Sequence, residues 1–126
     1  MVRIILNKGK EQSLKRFHPW VFSGAIHKID GNPLEGDVVE VYSKTGEYLG
    51  CGHYQIGSIT VRILSFEKCN IDADFWYNRI MAAYKARTAL GLTDSSSTNC
   101  YRLVHGEGDF LPGLIIDIYN KTAVMQ

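Results

Sequence analysis

Covalent staples are scarce in this chain. Its 126 residues include only three prolines and three cysteines, Cys51, Cys69 and Cys100. An odd cysteine count with no close pair along the sequence disfavours a disulfide framework and a cysteine-built zinc site, and fits a reducing, cytoplasmic setting. Long apolar runs are missing as well. The opening Met1-Val2-Arg3-Ile4-Ile5-Leu6-Asn7-Lys8 holds no stretch suited to a secretory signal. The longest uncharged run, Tyr48 to Val61, contains Gly50, Gly52 and Gly57 with His53 and Gln55, so it is no membrane span. Secreted, membrane-spanning and disulfide-rich classes are excluded. What is present is core-forming material: 45% of residues are hydrophobic and 21% charged, which suits one folded domain or one plus part of another.

Charge of one sign is also lacking overall, since the net charge is +1. Its distribution is uneven. Residues 1–28 hold six basic groups, Arg3, Lys8, Lys10, Lys15, Arg16 and Lys28, against Glu11 alone. Residues 29–75 reverse this, with eight acids against Lys44, Arg62 and Lys68. A nearly neutral chain does not coat polyanions indiscriminately, but a basic first fifth can present a local patch to a phosphate backbone. On charge alone, a solvated surface is an equally good reading.

The first seventy residues read as short strands separated by turns. Val38-Val39-Glu40-Val41-Tyr42 is rich in β-branched and aromatic residues, Lys44-Thr45-Gly46 supplies a turn, and Glu47-Tyr48-Leu49 leads back out. Ile59, Val61 and Ile63 alternate with Thr60, Arg62 and Leu64, which predicts a strand with one buried face. Gly50, Gly52 and Gly57 predict bulges or close backbone approaches. From Asp72 the period changes. Trp76, Ile80, Ala83, Tyr84 and Arg87 recur at helical spacing, Asp72 or Asp74 can cap the start, and Gly91 stands where a left-handed C-terminal residue belongs. A helix over roughly 74–90 follows. A polar loop over Thr93–Asn99 precedes two further strands, Cys100 to His105 and Gly113 to Tyr119, and Ala123-Val124-Met125 begins another. The chain stops at Gln126 without a turn or cap, which leads us to expect a piece of something longer.

The most informative stretch runs from Lys8 to Trp20. Lys8, Lys10, Lys15 and Arg16 can meet phosphates, while Phe17, His18 and Trp20 offer flat faces on which unpaired bases stack. Pro19 fixes the backbone beside them. The plainer reading makes Trp20, Val21 and Phe22 core residues and the cations a solvated loop. Independent chemistry is poorly supported. Cys51 with His53, or Cys100 with His105, would need an orienting third group and an oxyanion hole. His105, Glu107 and Asp109 lie too close in sequence to close a metal site unaided. Gly106-x-Gly108 is followed by another strand rather than a helix, so it is not a dinucleotide fingerprint.

Two blocks carry a resemblance. Lys8-Gly9-Lys10 through His18-Pro19-Trp20-Val21-Phe22-Ser23-Gly24-Ala25-Ile26 closely resembles the opening of bacterial PUA-containing, S-adenosylmethionine-dependent methyltransferases, whose best-known branch modifies cytosine at C5 in large-subunit ribosomal RNA. Glu35-Gly36-Asp37-Val38-Val39, Leu49-Gly50-Cys51-Gly52 and Ile59 to Leu64 are similar to that family's PUA barrel. Tyr101 to Asp117, with His105-Gly106-Glu107-Gly108-Asp109 and Leu111-Pro112-Gly113-Leu114, resembles the start of its middle α+β module. Phe110 departs from it, standing where the resemblance leads us to expect glycine.

The fold class expected is mixed and mainly β. The resemblance implies a PUA-like small β-barrel that binds RNA over residues 1–70, then a linker helix and an incomplete α+β module over 71–126. It places the catalytic Rossmann-like methyltransferase domain, its cysteine and its S-adenosylmethionine outside this chain, so no catalytic, cofactor-binding or metal-ligating residue is assigned here. Lys8, Lys10, Lys15 and Arg16 would contact phosphates of structured RNA, large-subunit ribosomal RNA in this family. Phe17, His18 and Trp20 would stack or shape a groove, with Arg62 a further candidate. The alternative is an interaction module that docks its own C-terminal methyltransferase domain or a partner chain. A homodimer is left open, and no membrane partner is expected.

Overall fold

The computed structural model describes residues 1–126, which divide into two compact units, Met1–Cys69 and Asn70–Gln126. The first unit is almost entirely β. Strand β1 (Arg3–Leu6) leads through the one-turn helix α1 (Gln12–Lys15) to β2 (Trp20–Phe22). A 3-10 turn at Ser23–Ala25 joins β2 to β3 (Ile26–Asp30), and β4 (Val38–Tyr42), β5 (Tyr48–Tyr54) and β6 (Ile59–Ser65) follow. They form one six-stranded sheet in the order β2-β6-β5-β4-β1-β3, in which β1 runs antiparallel to β3 and parallel to β4.

That order forces the sheet to curl. Its two edge strands, β2 and β3, are consecutive in the chain and joined by three residues. A flat six-stranded sheet would separate them by about 24 Å, whereas so short a connection spans at most about 14 Å. The result is an open half-barrel. Its interior holds Ile4, Leu6, Leu14, Val21, Val39, Val41, Leu49, Val61 and Ile63, all buried. Leu14 comes from α1, which explains why so short a helix persists: one apolar side chain anchors it in the core.

Two glycines set how closely β5 can lie against β6. A Cβ on Gly52 would stand 2.0 Å from the carbonyl oxygen of Arg62, and one on Gly50 would stand 2.8 Å from that of Ser65. The pairing register slips between Cys51 and Gly52 at the same place, the bulge that the glycines predict. Strand β6 departs from the expected one-sided burial. Thr60 and Leu64 are buried along with Val61 and Ile63, so both faces of β6 are covered. The Thr60 hydroxyl answers its burial by donating to the Gly57 carbonyl at 3.4 Å.

The second unit is α2 (Ala73–Ala89) followed by an antiparallel meander of β7 (Cys100–His105), β8 (Ile115–Tyr119) and β9 (Thr122–Met125). Asp72 caps the helix by accepting from the Phe75 N–H at 3.0 Å. At the other end Gly91, with φ of 76°, donates to Thr88, and the Leu92 N–H reaches back to Arg87, a Schellman closure. The buried stripe is Ala83 with Trp76 and Ile80, packed over Val104, Leu111 and Ile116. Tyr84, expected on that stripe, is instead exposed. No helix is long and apolar enough to cross a membrane.

Candidate nucleic-acid interface

In the first unit the edge strand β2 organises the site. Val21 points into the core at 1% exposure, so by strand alternation its neighbours Trp20 and Phe22 face the other way. Trp20 and Phe22 meet edge to face at 6.2 Å. His18 joins them, 5.8 Å from Trp20 and 6.3 Å from Phe22. Its ring is oriented by the Trp20 backbone N–H, which donates to His18 Nδ1 at 3.2 Å. Arg62 stands opposite Trp20 in the β2–β6 register. Its guanidinium lies 5.5 Å from the indole centroid, and its Nε donates to Gln55 Oε1 at 3.0 Å. A cation is thus held over an aromatic face at the rim of an aromatic trio.

Beside this cluster lies a pocket of about 330 Å³ lined by Leu6, Lys10, Ser13, Leu14, Trp20, Val21, Phe22, Gly24 and Ala25. Apolar walls with one ammonium and one hydroxyl suit a flat heteroaromatic ring carrying a nearby anion. Lys8, Lys10 and Arg16 are exposed around α1.

The structure does not gather every predicted residue. Lys15 forms an ion pair with Glu47 at 2.9 Å, and the hydrogen bond to that carboxylate raises its pKa. Phe17 turns away from His18: its backbone is left-handed, with φ of 64°, and its ring packs edge-on against Phe66 at 5.3 Å. Two contributors went unforeseen. Phe22 reads as core in the sequence, although its two-residue spacing from Trp20 across a buried Val21 is a strand signal for a shared face. Gln55 carries no sequence signal, because only the fold brings it to Arg62.

The other candidates resolve into structural roles. Burial pushes the Cys51 thiol pKa up and the His53 pKa down, which favours neutral thiol and neutral imidazole rather than a thiolate–imidazolium pair. Asp109 does not gather with His105 and Glu107 around a metal. Its Oδ2 accepts from Arg87 at 2.6 Å and from the His105 backbone N–H at 2.6 Å. No group of three metal-ligating side chains is present. The Gly106–Gly113 stretch is a tight turn, closed by the Gly106 N–H to Leu114 and the Leu111 N–H to Gly106. A 3-10 turn over Gly106–Asp109 occupies its first half, and the chain then runs on into β8 rather than into a longer helix.

A family model described as a PUA-like domain matches residues 4–66. The ribosomal RNA large subunit methyltransferase I of Shewanella amazonensis is 45% identical over 127 residues, covering 99% of this chain and 32% of that protein. The protein of the same name from Photobacterium profundum is 44% identical over 126 residues, covering 98% and 31%. Among solved structures, a chain from Streptococcus mutans provisionally assigned as a SAM-dependent methyltransferase superposes with a TM-score of 0.81 at 23% identity. It is covered over 32% of its length, against 99% of this chain. A provisionally assigned methyltransferase complexed with SAH gives a TM-score of 0.82 at 22% identity. At such identities the likeness is one of fold. The chain spans about a third of the length of the curated relatives it matches.

Proposed function

The chain belongs to the PUA-like domain family, and from that premise we propose that it engages structured RNA on behalf of an S-adenosylmethionine-dependent ribosomal RNA methyltransferase. Residues 1–70 are the RNA-binding barrel in this reading. Residues 71–126 are a linker helix and the start of a middle α+β module. Methyl transfer, with its cofactor and its catalytic cysteine, is assigned to a domain outside these residues. The target is a cytosine of large-subunit ribosomal RNA, modified at C5 after leaving its stack. A cytoplasmic location follows from such a substrate, and the reading requires no second copy of the chain.

One observation carries the reading: His18, Trp20, Phe22 and Arg62 cluster where the edge strand β2 pairs with β6, beside a pocket that Lys10 lines. Lys8, Lys10 and Arg16 meet phosphates, and His18 and Trp20 stack on or bracket an unpaired base. Lys15 contributes through the same patch only when an RNA phosphate displaces Glu47. Phe17 shapes the border of the patch through its contact with Phe66.

Fluorescence anisotropy with a large-subunit ribosomal RNA hairpin, across a salt series, tests this. The log–log salt slope shrinks by roughly 0.7–0.9 for each cation lost in the Lys8→Glu, Lys10→Glu and Arg16→Glu variants. Trp20→Leu weakens binding about five-fold or more without changing that slope. Unchanged affinity and slope in folded variants would sink the interface. A parent chain that binds no RNA would favour docking to its own methyltransferase domain instead.

A further inference from the structure

Phe110 is held in a way the fold of the second unit does not require. Its backbone is left-handed, with φ of 58° and ψ of 31°, a region that a bulky side chain occupies only under strain. Its side chain is also 69% exposed, outside the core formed by Ala83, Val104, Leu111 and Ile116. Two unfavourable features therefore coincide in one residue, although glycine would make the same turn without either.

The surroundings keep that ring in place. On one side Asp109 is clamped by Arg87 and by the His105 N–H. On the other, Leu111 is buried at 1% exposure. Arg79, from α2, donates to the Phe110 carbonyl. Its guanidinium lies 4.6 Å from the Phe75 centroid and 5.8 Å from the Phe110 centroid, between two aromatic rings. Phe75 is braced in turn by Trp76 at 5.3 Å. An aromatic face fixed in solvent with a guanidinium at its flank offers stacking to a base and a planar cation to the adjoining phosphate. The same pairing of ring and cation, Trp20 with Arg62 at 5.5 Å, occurs in the first unit.

We infer that Phe110, flanked by Arg79, is a second stacking platform that takes one unpaired nucleobase of a looped or single-stranded RNA. The inference rests on the RNA-binding reading above and adds a contact from the second unit. The probe is the parent chain with a uridine-rich RNA hairpin carrying 5-iodouridine in its loop, photo-crosslinked and mapped by peptide mass spectrometry. Crosslinks are expected at Phe110 as well as near Trp20. Phe110→Gly lowers affinity about five-fold or more, while its Tm stays level or rises, because glycine accepts the left-handed backbone. Arg79→Lys, which keeps the charge but loses the planar fork, also weakens binding.

The other outcomes overturn the inference in distinguishable ways. Crosslinks confined to residues 8–22, with Phe110→Gly binding normally, remove this platform and leave the first-unit interface standing. Affinity and Tm falling together make Phe110 a structural prop. Loss of self-association in sedimentation, with RNA affinity unchanged, makes it a contact between copies of the chain. A parent chain that fails to bind the hairpin defeats both readings at once.

Discussion

The two units stabilise themselves by different means. The first gathers nine buried apolar residues into one cluster inside a curled sheet, whereas the cluster of the second holds four, Ala83 on the helix and three beneath it. The second compensates with polar clamps. Arg87 bridges Asp109 at 2.6 Å, with side-chain exposures of 17% and 9%, and its Nε also donates to the Arg102 carbonyl at 2.9 Å. Arg102 adds a two-pronged ion pair to Asp117 across the β7–β8 pair. Small cores leave little surplus, so hydrogen-bonded charges take a larger share where apolar area is short. The same contrast governs the two aromatic groups. Trp20 and Phe22 are presented by strand alternation, which needs only a paired backbone. Phe110 is presented by a left-handed turn that a salt bridge and an arginine hold in place.

The largest effect should come from the tightest backbone approach in the first unit. Gly52→Ala places a Cβ where the Arg62 carbonyl stands 2.0 Å away. The strands must part, at a cost of roughly 4 kcal/mol. Native-state hydrogen exchange in β5 and β6 reads it. Retained protection there would mean that β6 can shift without loss, and that packing in this half-barrel is looser than its burial implies.

The matching break in the second unit is Asp109→Ala. It strands the Arg87 guanidinium in a partly buried place and orphans the His105 N–H. The expected cost is about 3 kcal/mol, read as lost protection in α2 and β7. The paired change Arg87→Met with Asp109→Leu should recover much of that, since what costs most is an unpaired charge. If Asp109→Ala proves neutral, the second unit depends on its small core after all. Gly91→Ala is milder, about 1 kcal/mol, because alanine tolerates φ of 76° poorly. Its effect belongs at the end of α2.

Elements defined by local pattern were legible in the sequence. Val38–Tyr42 reads as a strand and is β4, and the helix expected over 74–90 is α2, capped by Asp72, one of the two candidates, and stopped at Gly91 as expected. What was hidden depends on pairings distant in sequence. Lys15 looks like a phosphate ligand until Glu47 is brought within 2.9 Å. The face of Arg62 is decided by its register with Trp20, which no local window contains. Phe17 and His18 are neighbours in sequence but diverge, because φ of 64° at Phe17 turns the chain between them. Phe110 was visible as a departure from glycine. Its left-handed backbone, with φ of 58°, is the conformation that the expected glycine accommodates without strain, but the exposure of its ring has no signal in the sequence.

The smallest predicted effect separates the units by pH. His53 lies in β5 opposite Val38 and Arg62, and burial holds its pKa below the usual histidine value of 6.5. A depressed histidine is neutral in the folded chain while the unfolded chain still takes up its proton. The unfolded state therefore binds more protons as pH falls through 6.5 towards the folded value, and stability drops with it. The first unit should lose stability between pH 7 and pH 5.5, and His53→Gln should flatten that loss. Urea midpoints at the two pH values, followed by Trp20 fluorescence in a Trp76→Phe background, measure it. An equal drop in parent and variant would move the pH sensitivity elsewhere. The contrast between a unit built on neutral burial and one built on paired charge would then rest on the Gly52 and Asp109 variants alone.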